Sequence, residues 1–149
     1  MTDKNKIEQL VNELINVTGI FLVAIKVSNA NKISVLVDTM KGITIDECAE
    51  LHRHLEKNLD RNIEDFELQV SSPGLDAPFL VIEQYRKNEG NKVEVADYEG
   101  NKFTGHLKNV TNGGFELISE VKGKGKVKMT RELSFNLEQV KSTRVVLTI

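Results

Sequence analysis

Val70-Ser71-Ser72-Pro73-Gly74-Leu75-Asp76-Ala77-Pro78-Phe79 contains both prolines of the chain, and its reading decides where one folded element stops and the next begins. Ahead of it, Phe66, Leu68 and Val70 alternate with Glu67 and Gln69, the period of a half-buried strand. Proline has no N–H to give to a strand ladder and presets its own φ, so Ser72-Pro73-Gly74 ends the strand. Gly74 is expected to take the positive φ of a type II turn. Asp76 is placed to cap that turn by accepting local backbone N–H groups, and Pro78 drives Ala77 towards an extended conformation. The stretch reads as strand, rigid corner and exit. It is either a stiff hinge between folded parts or a polar loop that meets a phosphate or a partner protein, and its own chemistry leaves both open.

Towards the amino terminus, Ile7, Leu10, Val11, Leu14 and Ile15 recur at the spacing of an amphipathic helix, with Gly19 as its expected stop. Residues 20–27 and 32–39 are β-rich runs separated by Asn29-Ala30-Asn31, which predicts a hairpin. Thr44 and Glu47 stand as in a capping box, so a second helix should start near Ile45 and bury Ile45, Cys48, Leu51, Leu55 and Leu59. A strand over 64–71 completes the order αββαβ, which lets both helices cover one face of a three-stranded sheet. Residues 1–80 therefore form a first, two-layer α/β domain.

Beyond the corner, 81–88 predicts a short helical turn. Short β-rich runs follow at 92–97, 102–110, 114–121, 127–135 and 143–149, joined by Glu99-Gly100-Asn101, Asn112-Gly113 and a helical turn at 137–140. Five short strands predict a small closed barrel over 81–149. The fold class is α+β in two domains.

With 149 residues and 40% hydrophobic side chains but no Trp, each core must rest on Leu, Ile and Val. The single cysteine, Cys48, excludes an internal disulfide and suits a reducing compartment. No apolar run reaches the roughly 20 residues of a membrane span, and the first residues lack the apolar core of a secretory signal. A soluble cytoplasmic protein is expected, with no membrane partner. The net charge of −2 hides an asymmetry: residues 1–80 carry 8 Lys and Arg against 13 Asp and Glu, giving −5, and the remainder carry 12 against 9, giving +3. A nucleic acid is better steered by the second half and a basic protein by the first.

Catalysis has no support. Asp46, Glu47 and Glu50 fall near a helix start, where the dipole favours negative charge. His52 and His54 are two apart, so on a helix they diverge by about 200° and share no metal. His106 stands alone on a strand run and reads as structural. Ser71 and Ser72 lack a nucleophile elbow and a nearby lysine, and Cys48 reads as a small core residue. No phosphate-cradling glycine loop of a nucleotidase or dinucleotide-binding protein is present, so no cofactor, metal or catalytic residue is assigned. The run Lys122-Gly123-Lys124-Gly125-Lys126-Val127-Lys128, with Arg131 beyond, is a basic, glycine-alternated loop between strands. It is able to follow a phosphate backbone without reading bases, or it is a solvated hairpin tip, since no aromatics interleave for base stacking.

Ser71-Ser72-Pro73-Gly74-Leu75-Asp76 closely resembles the signature of the ribosome maturation factor RimP family, supported by 42–49, 93–95 and 105–107, and the resemblance covers essentially the whole chain. The family run usually continues Arg-Pro-Leu. Here Ala77, Pro78 and Phe79 stand, so whatever that arginine does must be done otherwise. The resemblance implies an Sm-like, SH3-type barrel for the second domain. It also implies a bacterial, non-enzymatic factor that binds free small (30S) ribosomal subunits during assembly through rRNA and the basic small-subunit protein twelve. On that reading the candidate contacts are Ser71, Ser72, Pro73, Gly74, Leu75 and Asp76, with Lys122, Lys124, Lys126, Lys128 and Arg131 on the basic loop. The competing reading is a generic Sm-like RNA-binding protein acting as a ring. A ring needs exposed edge strands that pair between copies, and a monomer is expected instead.

Overall fold

The computed structural model describes residues 4–59, 66–122 and 128–147. It is mixed α+β, with three helices and two sheets among the described residues. The chain divides into two compact units, Met1–Pro73 and Gly74–Ile149, each with its own apolar core.

The first unit runs α1 (Lys4–Ile15), β1 (Ile20–Val27), β2 (Lys32–Thr39), α2 (Ile45–Asn58) and β3 (Glu67–Ser71). Its sheet order is β1-β2-β3, antiparallel between β1 and β2 and parallel between β2 and β3. A parallel pair needs a crossover, and α2 supplies it. Ile33, Val35 and Val37 alternate along β2 onto one face, where Ile7, Val11 and Ile15 of α1 and Leu51 and Leu55 of α2 join them in one core. His52 fixes α2 to β3 by donating from Nε2 to the Leu68 carbonyl at 3.0 Å. Glu64 and Asp65, expected in β3, lie outside the described residues.

The α2 start has the capping box read from the sequence: Thr44 Oγ1 accepts from the Glu47 N–H, and the Glu47 carboxylate accepts from the Thr44 N–H, each at 3.1 Å. The burial expected of Ile45 fails, because its side chain is 88% exposed. As the first helical residue it projects back past the helix start, outside the stripe that Leu51 and Leu55 press on the sheet.

The second unit contains α3 (Ile82–Lys87), β4 (Lys92–Asp97), β5 (Lys102–Lys108), β6 (Gly114–Lys122), β7 (Lys128–Asn136) and β8 (Val140–Val145), with a 3-10 turn at Leu137–Gln139. Its antiparallel sheet has the order β7-β6-β5-β4-β8. The closed barrel expected from the strand count is an open sheet here, since no ladder joins β7 to β8 among the described residues. The last strand instead lies along β4, starting at Val140 opposite Asp97, three residues earlier than the run at 143–149 suggested. Val127, Thr148 and Ile149, expected in strands, lie outside the described residues.

Without tryptophan, this core is stiffened by an aromatic chain. Phe79, Tyr85, Phe115, Phe135 and Phe103 follow one another with ring centroids 5.0, 5.1, 5.4 and 5.3 Å apart, the spacing at which edge and offset contacts are favourable. Thr143 of β8, fully buried, accepts twice: its Oγ1 from the Tyr85 hydroxyl at 2.9 Å and its carbonyl from the Phe79 N–H at 2.8 Å. The segment after the corner is thereby sewn to the last strand, and residues 74–80 fall in the second unit.

Two glycines are required by close approach. A Cβ on Gly105 would sit 2.7 Å from the Ile118 carbonyl oxygen, and one on Gly114 would sit 2.2 Å from that of Phe135. Both obstacles are backbone and cannot swing away. Gly105→Ala and Gly114→Ala should each destabilise the second unit by about 1–3 kcal/mol, as overpacking does. Thermal unfolding that shows no loss at either position would contradict the close approach.

Candidate functional site

The corner begins where Ser71 leaves β3, paired with Leu36. Its turn falls later than expected. The Ala77 N–H donates to the Gly74 carbonyl at 3.1 Å, so Leu75 and Asp76 are the central residues and Pro73 precedes the turn. None of these residues has positive φ; the glycines that do are Gly19, Gly42, Gly90 and Gly100. The type II turn with a left-handed Gly74 is therefore corrected. The capping role for Asp76 also fails, because its exposed carboxylate accepts no hydrogen bond among the described residues and lies against Gly74. Ser72, Gly74 and Asp76 are exposed, and Leu75 is 80% exposed at the tip. In chain order the exposed Leu75 stands between Ser72 and Asp76, which are exposed as well. Where the family run has leucine, Phe79 meets Tyr85 edge-on.

The basic candidates lie on the β6–β7 hairpin. The register puts Lys122 opposite Lys128 and Arg131 opposite Ser119, and Arg131 is exposed. Lys124 and Lys126 lie outside the described residues. The hairpin thus gathers Lys122, Lys128 and Arg131 on one ribbon, while the corner residues form a separate, contiguous set.

A third feature escaped the sequence reading. At one end of the first unit, the α1–β1 and β2–α2 connections line a common groove through Thr18, Gly19, Met40, Lys41, Thr44 and Glu47. Val17 is 99% exposed and holds φ 61°, and Met40 and Ile45 are 55% and 88% exposed. A β-branched residue in the left-handed region costs about 1–3 kcal/mol, and here the strained residue covers nothing. Glu47, in the first turn of α2, lines this groove, and Glu47 and Glu50 line an adjoining one with Thr18. The available signal was Val17 itself, a branched apolar residue between a helix stop and Gly19, where turn residues are usual.

The titratable groups follow ordinary roles. His54 faces Glu50 at 3.8 Å and His52 faces Glu56 at 3.7 Å. Burial, followed by the carboxylates of Glu47 and Asp38, pushes the Cys48 thiol above its usual range, which withholds the thiolate a nucleophile needs. Among the described residues no group of His, Cys, Asp and Glu could hold a metal ion, and no helix is long and apolar enough to cross a membrane.

Fold and surface define a two-unit α+β protein whose conspicuous features are exposed contacts: a polar corner, a basic hairpin and an acidic, apolar end. Comparison with known proteins makes the class specific. Residues 10–76 match the family model for the RimP N-terminal domain. The chain is 34% identical to ribosome maturation factor RimP of Porphyromonas gingivalis strain W83, over 95% of this chain and 96% of that protein. It is 30% identical to the protein of that name from Christiangramia forsetii, over 97% and 98%, and 32% identical to that from Chlorobium luteolum, over 82% and 80%. The chain belongs to the RimP family.

The corner geometry sets a stability test. A Cβ on Gly74 meets only Asp76 Oδ1 at 3.6 Å and the Ala77 Cβ at 4.0 Å, so Gly74→Ala should hold or raise stability by up to about 1 kcal/mol through the unfolded chain. Tyr85→Phe, which leaves buried Thr143 without its donor, should lower it by roughly 0.5–1.5 kcal/mol. Urea unfolding of both variants checks the pair, and a loss at Gly74 larger than at Tyr85 would restore a strained corner.

Proposed function

We propose that this chain is a non-catalytic assembly factor of the bacterial cytoplasm, a monomer that binds the free small (30S) ribosomal subunit and assists its maturation. The observation that carries the reading is similarity along nearly the full length to proteins named ribosome maturation factor RimP. In this reading the second half, at +3, meets rRNA phosphates through Lys122, Lys124, Lys126, Lys128 and Arg131. The first half, at −5, meets the basic small-subunit protein twelve, with Val17, Met40 and Ile45 as apolar contacts inside an acidic rim. The corner, residues 71–76, adds polar contacts through Ser72 and Asp76 and an apolar one through Leu75. Binding energy holds rRNA and protein in a productive arrangement until release, and no covalent bond is made or broken.

The two units act as separately stable domains, and the second is an Sm-like, SH3-type sheet. A short helix followed by five antiparallel strands, with the last returning beside the first, supports that description. The edges β7 and β8 are also what a generic Sm-like ring would pair between copies. Solution mass separates the two readings: a monomer fits the assembly factor and a multiple fits the ring.

Counterion release sets the decisive experiment. Co-sedimentation with purified small subunits should weaken as salt rises, and replacing Lys122, Lys124, Lys126 and Lys128 by Glu should weaken it further and flatten the salt slope. Unchanged affinity and slope in the quadruple variant would remove the hairpin from the RNA contact.

A further inference from the structure

The outer face of the second sheet carries a polar depression that shares β6 with the basic hairpin. It is lined by Lys92 of β4, Thr104, Gly105 and His106 of β5, and Ile118 and Ser119 of β6. The strand register builds it: Lys92 lies opposite His106, and His106 lies opposite Ile118. Gly105 forms its floor, because the missing Cβ lets β5 settle against the backbone of Ile118 and Ser119.

Its chemistry is one-sided. Lys92, Thr104 and His106 are exposed, which gives an ammonium, an imidazole and a hydroxyl around one hollow, while Ser119 alternates with Ile118 along β6 and turns its side chain to the other face. Among the described residues both titratable lining groups are bases and no carboxylate lines it. Glu120 follows Ser119 on β6, and the other acidic neighbours in the ladder are Glu94, opposite Thr104 on one side and Arg144 on the other, Glu116, opposite Lys108, and Glu132, opposite Ile118. Glu94, Glu116 and Glu132 border the hollow without entering its lining. Several donors converging without a competing acceptor are suited to an oxyanion that takes several hydrogen bonds at once. His106, which alone on its strand reads as structural, gains Lys92 as a cross-strand neighbour through the β4–β5 register.

We propose that this depression binds a phosphate group, as a phosphodiester of RNA, with Lys92 and His106 as the principal contacts and Thr104 as a hydroxyl donor. Phosphate is assigned from the lining chemistry alone; the choice of RNA rests on the ribosomal reading above. The site shares β6 with the basic hairpin, Ser119 lying opposite Arg131, but its two principal contacts come from β4 and β5, outside the Lys122–Lys128 run.

The test uses the full chain and amide and imidazole NMR resonances, titrated with inorganic phosphate and separately with a short oligouridylate at low salt. The expected shifts concentrate at residues 92, 104–106, 118 and 119 in both titrations, with the oligonucleotide binding more tightly. Lys92→Ala and His106→Gln should each weaken oligonucleotide binding by roughly 5–10-fold. Lys92→Arg should restore most of it, and Lys26→Ala in the first unit should change nothing. All these positions are exposed, and unchanged amide spectra of the variants would establish that the fold is intact. Wild-type binding by Lys92→Ala and His106→Gln, or shifts absent from these residues, would overturn the site. Phosphate binding as tight as that of the oligonucleotide would overturn the RNA assignment. If the site titrates as expected while the chain ignores small subunits, the site stands and the ribosomal reading falls.

Discussion

Thr143 is the point on which the second unit depends. Fully buried near the end of the chain, it accepts from the Tyr85 hydroxyl and, through its carbonyl, from the Phe79 N–H. These two bonds join the segment leaving the corner to the strand that ends the fold, across nearly the whole length of the unit. Burial pushes the Tyr85 phenol above its usual range while the bond to Thr143 pulls the other way, so the hydroxyl stays protonated and keeps its donor role. Because Phe79 and Tyr85 also begin the aromatic chain through Phe115, Phe135 and Phe103, hydrogen bonding and packing fix the same residues. The break in the chain accordingly falls at Pro73 and Gly74, ahead of this anchored segment.

The two units solve a shortage of large side chains differently. The first stacks two helices on a β-branched face, with Ile33, Val35 and Val37 almost wholly buried. The second draws its strands together by removing side chains, so that Gly105 and Gly114 let backbones approach where any Cβ would collide. On the opposite face of β5 from the Gly105 approach, Lys92, Thr104 and His106 line the polar depression.

Much of this was legible in the sequence. Helix and strand order followed from periodicity, and the α2 start from Thr44 and Glu47, because those signals are local. The corner was legible in position but not in detail. Proline fixes where a ladder stops, yet the turn is set by the hydrogen bond from Ala77 to Gly74, and no local rule distinguished that from a left-handed Gly74. The open sheet was hidden because counting strands does not reveal partners, and β8 pairs with β4 through contacts distant in sequence. Ile45 fitted the helical stripe and still projects outward, since a stripe says nothing about where the sheet ends. The Lys92 and His106 pair depends on register, which the sequence left unspecified, whereas the basic hairpin was plain from composition.

Affinity capture of the tagged chain from growing cells, with the bound RNA sequenced at its ends, tests the central claim most directly. An assembly factor for the small subunit should bring down small-subunit rRNA enriched in unprocessed ends, with little large-subunit rRNA. Capture of mature small-subunit and large-subunit rRNA in cellular proportion, or of no rRNA above an untagged control, would contradict the account.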